Sequence, residues 1–173
     1  MSGPVDLRAM RREDADAVEA LYAAAFEDED LTPLLRGLAD APAAAAFVVT
    51  ACDAVMGHVA LTACGVSGSD AAVSLLGPLA VATDQRGRGY GRRLIEASLG
   101  AAQQAGAAAV FVYGDPAFYG RFGFAIDDAV TPPYGAPAMW AQGWSALWFG
   151  EGRALRGTLV VPPPWGDERL WLI

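Results

Sequence analysis

Between positions 84 and 94 the chain reads Asp84-Gln85-Arg86-Gly87-Arg88-Gly89-Tyr90-Gly91-Arg92-Arg93-Leu94, with four arginines inside eight residues. The interleaved glycines let the backbone turn through conformations closed to other residues and approach a ligand without Cβ obstruction. Where such a turn opens a helix, the free N–H groups of the first turn point along the dipole at an anion. The chemistry predicted for this stretch is anion binding. A glycine-rich turn carrying solvated arginines is the plainer alternative.

Two common phosphate motifs do not fit. The chain has no lysine, which removes the nucleotide loop G-x-x-x-x-G-K-[ST]. The dinucleotide fingerprint G-x-G-x-x-G would need glycine where Arg92 stands, and no acidic residue follows about 20 positions later to hold a ribose. A phosphate-bearing ligand other than a nicotinamide dinucleotide is the better reading.

Other reactive residues are scattered. His58, the only histidine, sits in Met56-Gly57-His58-Val59, where alternation within a strand favours a core or surface role over a base. Cys52 and Cys64 have neither metal-ligand nor disulfide spacing and read as small buried hydrophobes. Glu27-Asp28-Glu29-Asp30 reads as a solvated acidic loop, with attraction of a cationic amine as the alternative; Asp115 reads as shaping the turn before Pro116. Trp140, Trp144 and Trp148 recur every four residues, a helical spacing that suits core packing, a subunit contact or an aromatic pocket wall.

The elements that must position the arginine turn follow from periodicity. Val5 to Ala9 alternates as a half-buried strand, and Val18, Leu21, Tyr22, Ala25 and Phe26 share one helical face. Thr32 is placed as the cap of a short helix through Leu38. Phe47–Cys52 and Val55–Ala63 read as antiparallel neighbours joined through Asp53-Ala54. Leu75–Val81 is an apolar run without alternation, as in a strand buried on both faces. Pro78 cannot donate to a ladder, so Gly77-Pro78 predicts a bulge or a strand that parts from its neighbour. A helix from about Gly89 to Ala105, stopped by Gly106, and a buried strand over Ala108–Tyr113 complete a crossover, making the two flanking strands parallel. Pro116–Arg121 suits a short helix, and strands are expected near Trp144–Phe149 and Gly157–Val161.

Composition sets the outer bounds. At 173 residues, 54% hydrophobic and 18% charged, the chain is expected to form one folded domain over residues 1–173. A net charge of −8 argues against general binding to nucleic acid or anionic membranes, so an anionic ligand needs a local basic patch. The start lacks the regions of a signal peptide, and prolines and glutamines interrupt the uncharged stretches at 97–114 and 129–150. A cytoplasmic protein without membrane or nucleic-acid partners is the expectation.

At the arginine turn the sequence resembles the GNAT superfamily of N-acetyltransferases. Arg86-Gly87-Arg88-Gly89-Tyr90-Gly91 is similar to its [QR]-x-x-G-x-[GA] signature. Leu7-Arg8-Ala9 with Glu13-Asp14-Ala15 and Ala17-Val18 resembles its first strand and helix, and Ala117-Phe118-Tyr119-Gly120-Arg121-Phe122-Gly123-Phe124 its late tyrosine-to-Gly-Phe motif. Leu76-Gly77-Pro78-Leu79-Ala80-Val81 and Gly114-Asp115-Pro116 resemble the YhbS-type branch. The likeness runs from residue 5 to about 126, and more loosely to Pro163.

That resemblance implies an α/β fold: a central, mostly antiparallel splayed sheet with one parallel crossover, flanked by helices. It implies acetyl-CoA as acyl-donor substrate, no metal, and transfer to a primary amine of a small molecule or peptide by direct attack in a ternary complex. Leu79, Ala80 and Val81 would hold the pantetheine arm through their backbone. Arg86, Gly87, Arg88, Gly89, Tyr90, Gly91 and Arg92 would hold the phosphates, and Tyr119 would donate a proton to the departing thiolate. A non-catalytic acyl-CoA-binding module, or an acyltransferase with another acyl donor or a hydroxyl acceptor, fits the same motifs. The tryptophans leave a homodimer open, and the general base is not readable.

Overall fold

A computed structural model describes residues 3–150 and 155–172. Strands β1 (Val5–Ala9), β2 (Ala44–Ala51), β3 (Ala54–Val66) and β4 (Val73–Val81) form an antiparallel run, with helices α1 (Ala15–Ala25) and α2 (Thr32–Asp40) between β1 and β2. Helix α3 (Tyr90–Gln104) then crosses over to β5 (Ala109–Tyr113), which pairs parallel to β4. The one-turn helix α4 (Pro116–Tyr119) leads through a 3-10 turn to β6 (Ala125–Ile126), β7 (Val130–Thr131), the one-turn helix α5 (Pro137–Trp140), β8 (Trp144–Trp148) and β9 (Gly157–Val160). The main sheet runs β1-β2-β3-β4-β5-β8-β6, and β9 joins the far end of β3 and pairs with β7. The fold is thus an open mixed sheet with one parallel crossover, flanked by helices.

The feature that matters for function lies in β4. Val59 pairs with Leu79 but Leu61 pairs with Leu76, so Gly77 and Pro78 together face Ala60, the two-against-one count of a bulge. On its other side β4 pairs with β5 only at Ser74–Val110 and Leu75–Phe111. From Leu76 onward the two parallel strands part. Proline without an N–H and glycine at φ 131° stand at this point, as expected where a ladder is abandoned.

Three apolar clusters hold the frame. On one face Val18, Leu21 and Tyr22 of α1 and Leu35 of α2 bury against Val48 and Ala80. On the other, Leu94 and Ile95 of α3 bury against Val49, Val59, Leu76, Val110 and Val112. The third is aromatic: Phe111, Trp140, Trp144, Trp165 and Trp171 gather with Leu34 and Leu38.

Several expectations need correction. The tryptophan spacing is not a helical face: Trp140 lies in α5, while Trp144 and Trp148 lie in β8, where positions four apart also share a side. Trp144 stacks on Phe111 at 5.4 Å and donates its Nε1–H to the Val130 carbonyl at 2.7 Å, so core packing claims it. Only one cysteine is sheltered. Cys64 is half-buried, its thiol pushed up to about 12 by burial, whereas Cys52 is exposed. The β2–β3 connection is Cys52-Asp53, both at positive φ (50° and 64°), the mirror-image turn that matches strand twist. Thr32 does not cap α2; its N–H donates to the Asp30 carboxylate at 3.0 Å and it begins the helix itself. The short elements β6, β7 and α5 carry too few residues to show periodicity.

Candidate active site

The β4–α3 connection is a 3-10 turn at Thr83–Gln85 followed by Arg86 to Gly89, with Gly87 at φ 79° and Gly89, the residue before the helix, at φ 81°. A Cβ at either glycine would meet no heavy atom within 4 Å. Glycine is needed there for left-handed backbone, not for room, and the surface above it is open. Behind the turn Tyr90 and Leu94 are buried and anchor the helix end.

This turn borders a cavity of about 460 Å³ lined by Leu79, Val81, Gln85, Arg86, Gly87, Gly89, Tyr90, Gly91, Arg92, Phe118, Arg121 and Phe122. Three of these residues are arginines and none is acidic. In a chain of net charge −8 the lining is a local positive basin. Arg92 sits 5.2 Å above the Phe122 ring and 3.6 Å from Glu96 one helical turn on; Arg86 and Arg121 have no ion-pair partner among the described residues. The Phe118 ring closes one wall, near enough that a Cβ at position 91 would touch its Cζ at 3.6 Å.

Of the residues named from sequence, Leu79, Val81, Arg86, Gly87, Gly89, Tyr90, Gly91 and Arg92 line this cavity. Ala80 points to the opposite face and Arg88 is exposed outside the lining. Sequence reasoning missed Gln85, Phe118, Arg121 and Phe122 as lining residues. The last three stood inside the quoted tyrosine motif, and the signal for Arg121 was a lone cation in an otherwise apolar run.

Tyr119 does not line the cavity. Its ring lies over Gly114, just past the end of β5, in edge contact with Phe118 (5.0 Å) and Phe124 (5.8 Å). A Cβ at position 114 would fall 2.5 Å from its Cε2, so the tyrosine sits directly on the strand that has parted from β4. Its hydroxyl has no hydrogen-bond partner among the described residues, and burial pushes its pKa up to about 12. At neutral pH the phenol keeps its proton.

On the α1/α2 face a second cavity, about 660 Å³, runs between the start of α1, the end of α2 and the edge of β2. Its floor includes Ala44, Ala46 and Ala60, with His58 at the inner end; Arg11, Arg12 and Arg36 face Asp16, Glu19 and Asp40 around it. Arg36 forks onto Glu19 at 2.8 and 3.1 Å, tying α2 to α1. His58 is 3% exposed, and its Nδ1 lies 2.8 Å from the Tyr22 hydroxyl. Burial lowers its pKa to about 4, so the ring is neutral at physiological pH. Glu27, Asp28 and Glu29 are exposed and line neither cavity. The described residues contain no cluster of three potential metal ligands and no helix long and apolar enough to cross a membrane.

Comparison with known proteins agrees with this geometry. Residues 6–126 match the family described as the acetyltransferase (GNAT) domain. The uncharacterized N-acetyltransferase YhbS of Escherichia coli is 35% identical over 115 residues, spanning 65% of this chain and 69% of YhbS. The crystal structure of YhbS in complex with CoA superposes with a TM-score of 0.84 at 25% identity, covering 92% of this chain and 91% of that one. A GNAT family acetyltransferase from Brucella melitensis in complex with acetyl-CoA has the same fold, with a TM-score of 0.76 at 24% identity over 93% of this chain and 97% of that one. An arginine-lined helix start beside two parting parallel strands, and a match over more than two thirds of its length, make this chain a member of the GNAT acetyltransferase family.

Proposed function

We propose that the protein transfers the acetyl group of acetyl-CoA to a primary amine of a small molecule or peptide, by direct attack in a ternary complex. One observation carries this: the acid-free arginine cavity opens on the same stretch of β4, Leu79 to Val81, that has lost its β5 partner. The diphosphate binds Arg86, Arg92, Arg121 and the free N–H groups at the start of α3. The pantetheine arm then takes the place of the missing strand, bonding to the β4 backbone where β5 no longer does. A β4 N–H near the bulge donates to the thioester oxygen, a contribution of ~3 kcal/mol as negative charge develops there.

Tyr119 stands at the end of the parted strand as the group that meets the leaving thiolate. A phenol at about 12 gives its proton to a thiolate whose acid has a pKa of ~8.5 only at a cost of roughly 5 kcal/mol. The tyrosine therefore acts as a hydrogen-bond donor that strengthens as charge appears on sulfur. Supporting the reading are the solved relatives, which hold CoA and acetyl-CoA.

The test has two stages. Native mass spectrometry of the purified protein with acetyl-CoA should show a one-to-one complex. Thiol release measured with phenethylamine, spermidine and a peptide with a free N-terminus should then depend on the amine. Binding without release from any amine would leave an acyl-CoA-binding module; absence of binding would end the proposal.

A further inference from the structure

We propose that the cavity between α1 and α2 is a second ligand site, separate from the arginine cavity. It takes an uncharged molecule with an apolar body, whose carbonyl oxygen accepts a hydrogen bond from His58 Nε2–H at the inner end. This goes beyond the acetyltransfer reading and does not rest on it. The sheet makes the space. Ala46 of β2 stands directly opposite Ala60 of β3, and the next pair along the same face is Val48 with His58. Val48 packs against Val18 and Tyr22 of α1, and the His58 ring meets Tyr22 edge-on at 5.4 Å. Small side chains at Ala44, Ala46 and Ala60 leave the floor low beneath Leu35 and Leu38 of α2, so a void of about 660 Å³ remains.

The donor follows from counting hydrogen bonds. The Tyr22 hydroxyl is buried, and among the described residues its one partner is His58 Nδ1 at 2.8 Å. Were Nδ1 to carry the hydrogen and donate it, the phenolic hydrogen would be buried with no acceptor, at the full desolvation cost of that group. Tyr22 therefore donates, Nδ1 accepts, and the neutral ring carries its hydrogen on Nε2. Nε2 itself has no partner among the described residues, where no side-chain nitrogen or oxygen is both sealed from solvent and unpaired. The N–H thus opens into the void that His58 lines. A side chain 3% exposed, locked by Tyr22 and presenting one hydrogen to a cavity, is a donor awaiting an acceptor. Burial lowers its pKa to about 4, so at neutral pH that donor carries no charge.

Charge decides between a carbonyl and a carboxylate. Arg11, Arg12 and Arg36 balance Asp16, Glu19 and Asp40 around the cavity, and the three arginines are exposed to water. Burial alone shifts His58, so no charged group acts on the ring. A carboxylate carried to the inner end would lose its hydration and meet only a neutral donor, whereas a carbonyl has no charge to desolvate.

The single histidine makes the test direct, because its two ring nitrogens give one pair of signals in isotope-labelled protein. Proton–nitrogen correlation spectra of the free protein should show the hydrogen on Nε2. Titration with hydrocinnamamide, without coenzyme A, should move that hydrogen downfield and saturate. Hydrocinnamate, the same body ending in a carboxylate, should bind at least about 10-fold more weakly. Ala46→Leu, which fills the floor and leaves the ring alone, should lose at least about 10-fold in amide affinity with the tautomer unchanged; Ala46→Val serves if the leucine variant does not fold. A free protein with the hydrogen on Nδ1, an Nε2 signal that the amide does not move, a carboxylate that binds as tightly, or undiminished affinity in the folded variant overturns the proposal. The readout uses no acyl donor, so a failure of acetyl transfer leaves it standing, and its own failure leaves acetyl transfer untouched.

Discussion

The two cavities lie on opposite faces of one sheet and treat charge in opposite ways. The α3 cavity gathers Arg86, Arg92 and Arg121 with no carboxylate in its lining, whereas the α1/α2 cavity sets three arginines against Asp16, Glu19 and Asp40. Unbalanced charge costs self-repulsion that only a counter-ion relieves, so the first wall is built for an anion supplied from outside. Balanced charge already has its partners, as in the Arg36–Glu19 fork. The one uncharged titratable residue in its lining is His58. On the proposed reading one face clamps a highly charged carrier; the other is a neutral slot.

The slot's neutrality can be broken by acid. His58 binds its proton near pH 4 in the fold and near 6.5 when unfolded. Between those values the unfolded chain holds more protons, so stability is full above about 6.5 and declines as pH falls toward 4. The loss amounts to roughly 3 kcal/mol. Denaturant titrations across that window should show the slope, and a folded His58→Gln variant should lack most of it. Asp14, held below the usual carboxylate range by Arg8 at 2.7 Å, adds a loss in the same direction only at still lower pH.

On the clamp side the next largest effect is kinetic. Tyr119→Phe should lower kcat about 10²-fold while calorimetry finds acetyl-CoA binding unchanged, since the hydroxyl lies outside the anion cavity. Equal turnover in that variant would leave the ring a packing element between Phe118 and Phe124, and the parted strand without its donor.

How much of this contrast was legible in the sequence differs between the faces. The proposed clamp is local: arginines, glycines and a helix start are consecutive, so spacing alone points to it. Pro78 likewise announces a ladder defect, and it marks the bulge opposite Ala60. The slot is not local. His58 and the alanines of β2 meet only through strand register, and Tyr22 joins them through the packing of α1; single residues at those separations carry no pattern. The tryptophans misled for a related reason, since a spacing of four fits one face of a helix and one side of a strand equally well. Phe118, Arg121 and Phe122 reach the arginine cavity because α4 and the 3-10 turn after it lie against the start of α3, a tertiary fact with no sequence period.

Smaller substitutions sharpen the distinction between charge awaiting a ligand and charge already satisfied. Arg86→Ala and Arg121→Ala should each weaken acetyl-CoA binding about 10-fold, more steeply at low salt, and leave the melting temperature nearly unchanged, because neither side chain has an ion-pair partner among the described residues. Arg36→Ala should do the reverse. Its fork onto Glu19 is solvent-exposed on the arginine side, so the melting temperature should fall only slightly, and acetyl-CoA affinity should not move. The informative quantity is the crossing of the two effects. Arginines on both faces are identical in type and similarly exposed, so any difference between affinity loss and stability loss reports what each was placed to meet. If Arg36→Ala weakened the coenzyme as much as Arg86→Ala, the positive field would belong to the whole surface and not to the turn, and the clamp would lose its claim to be a site.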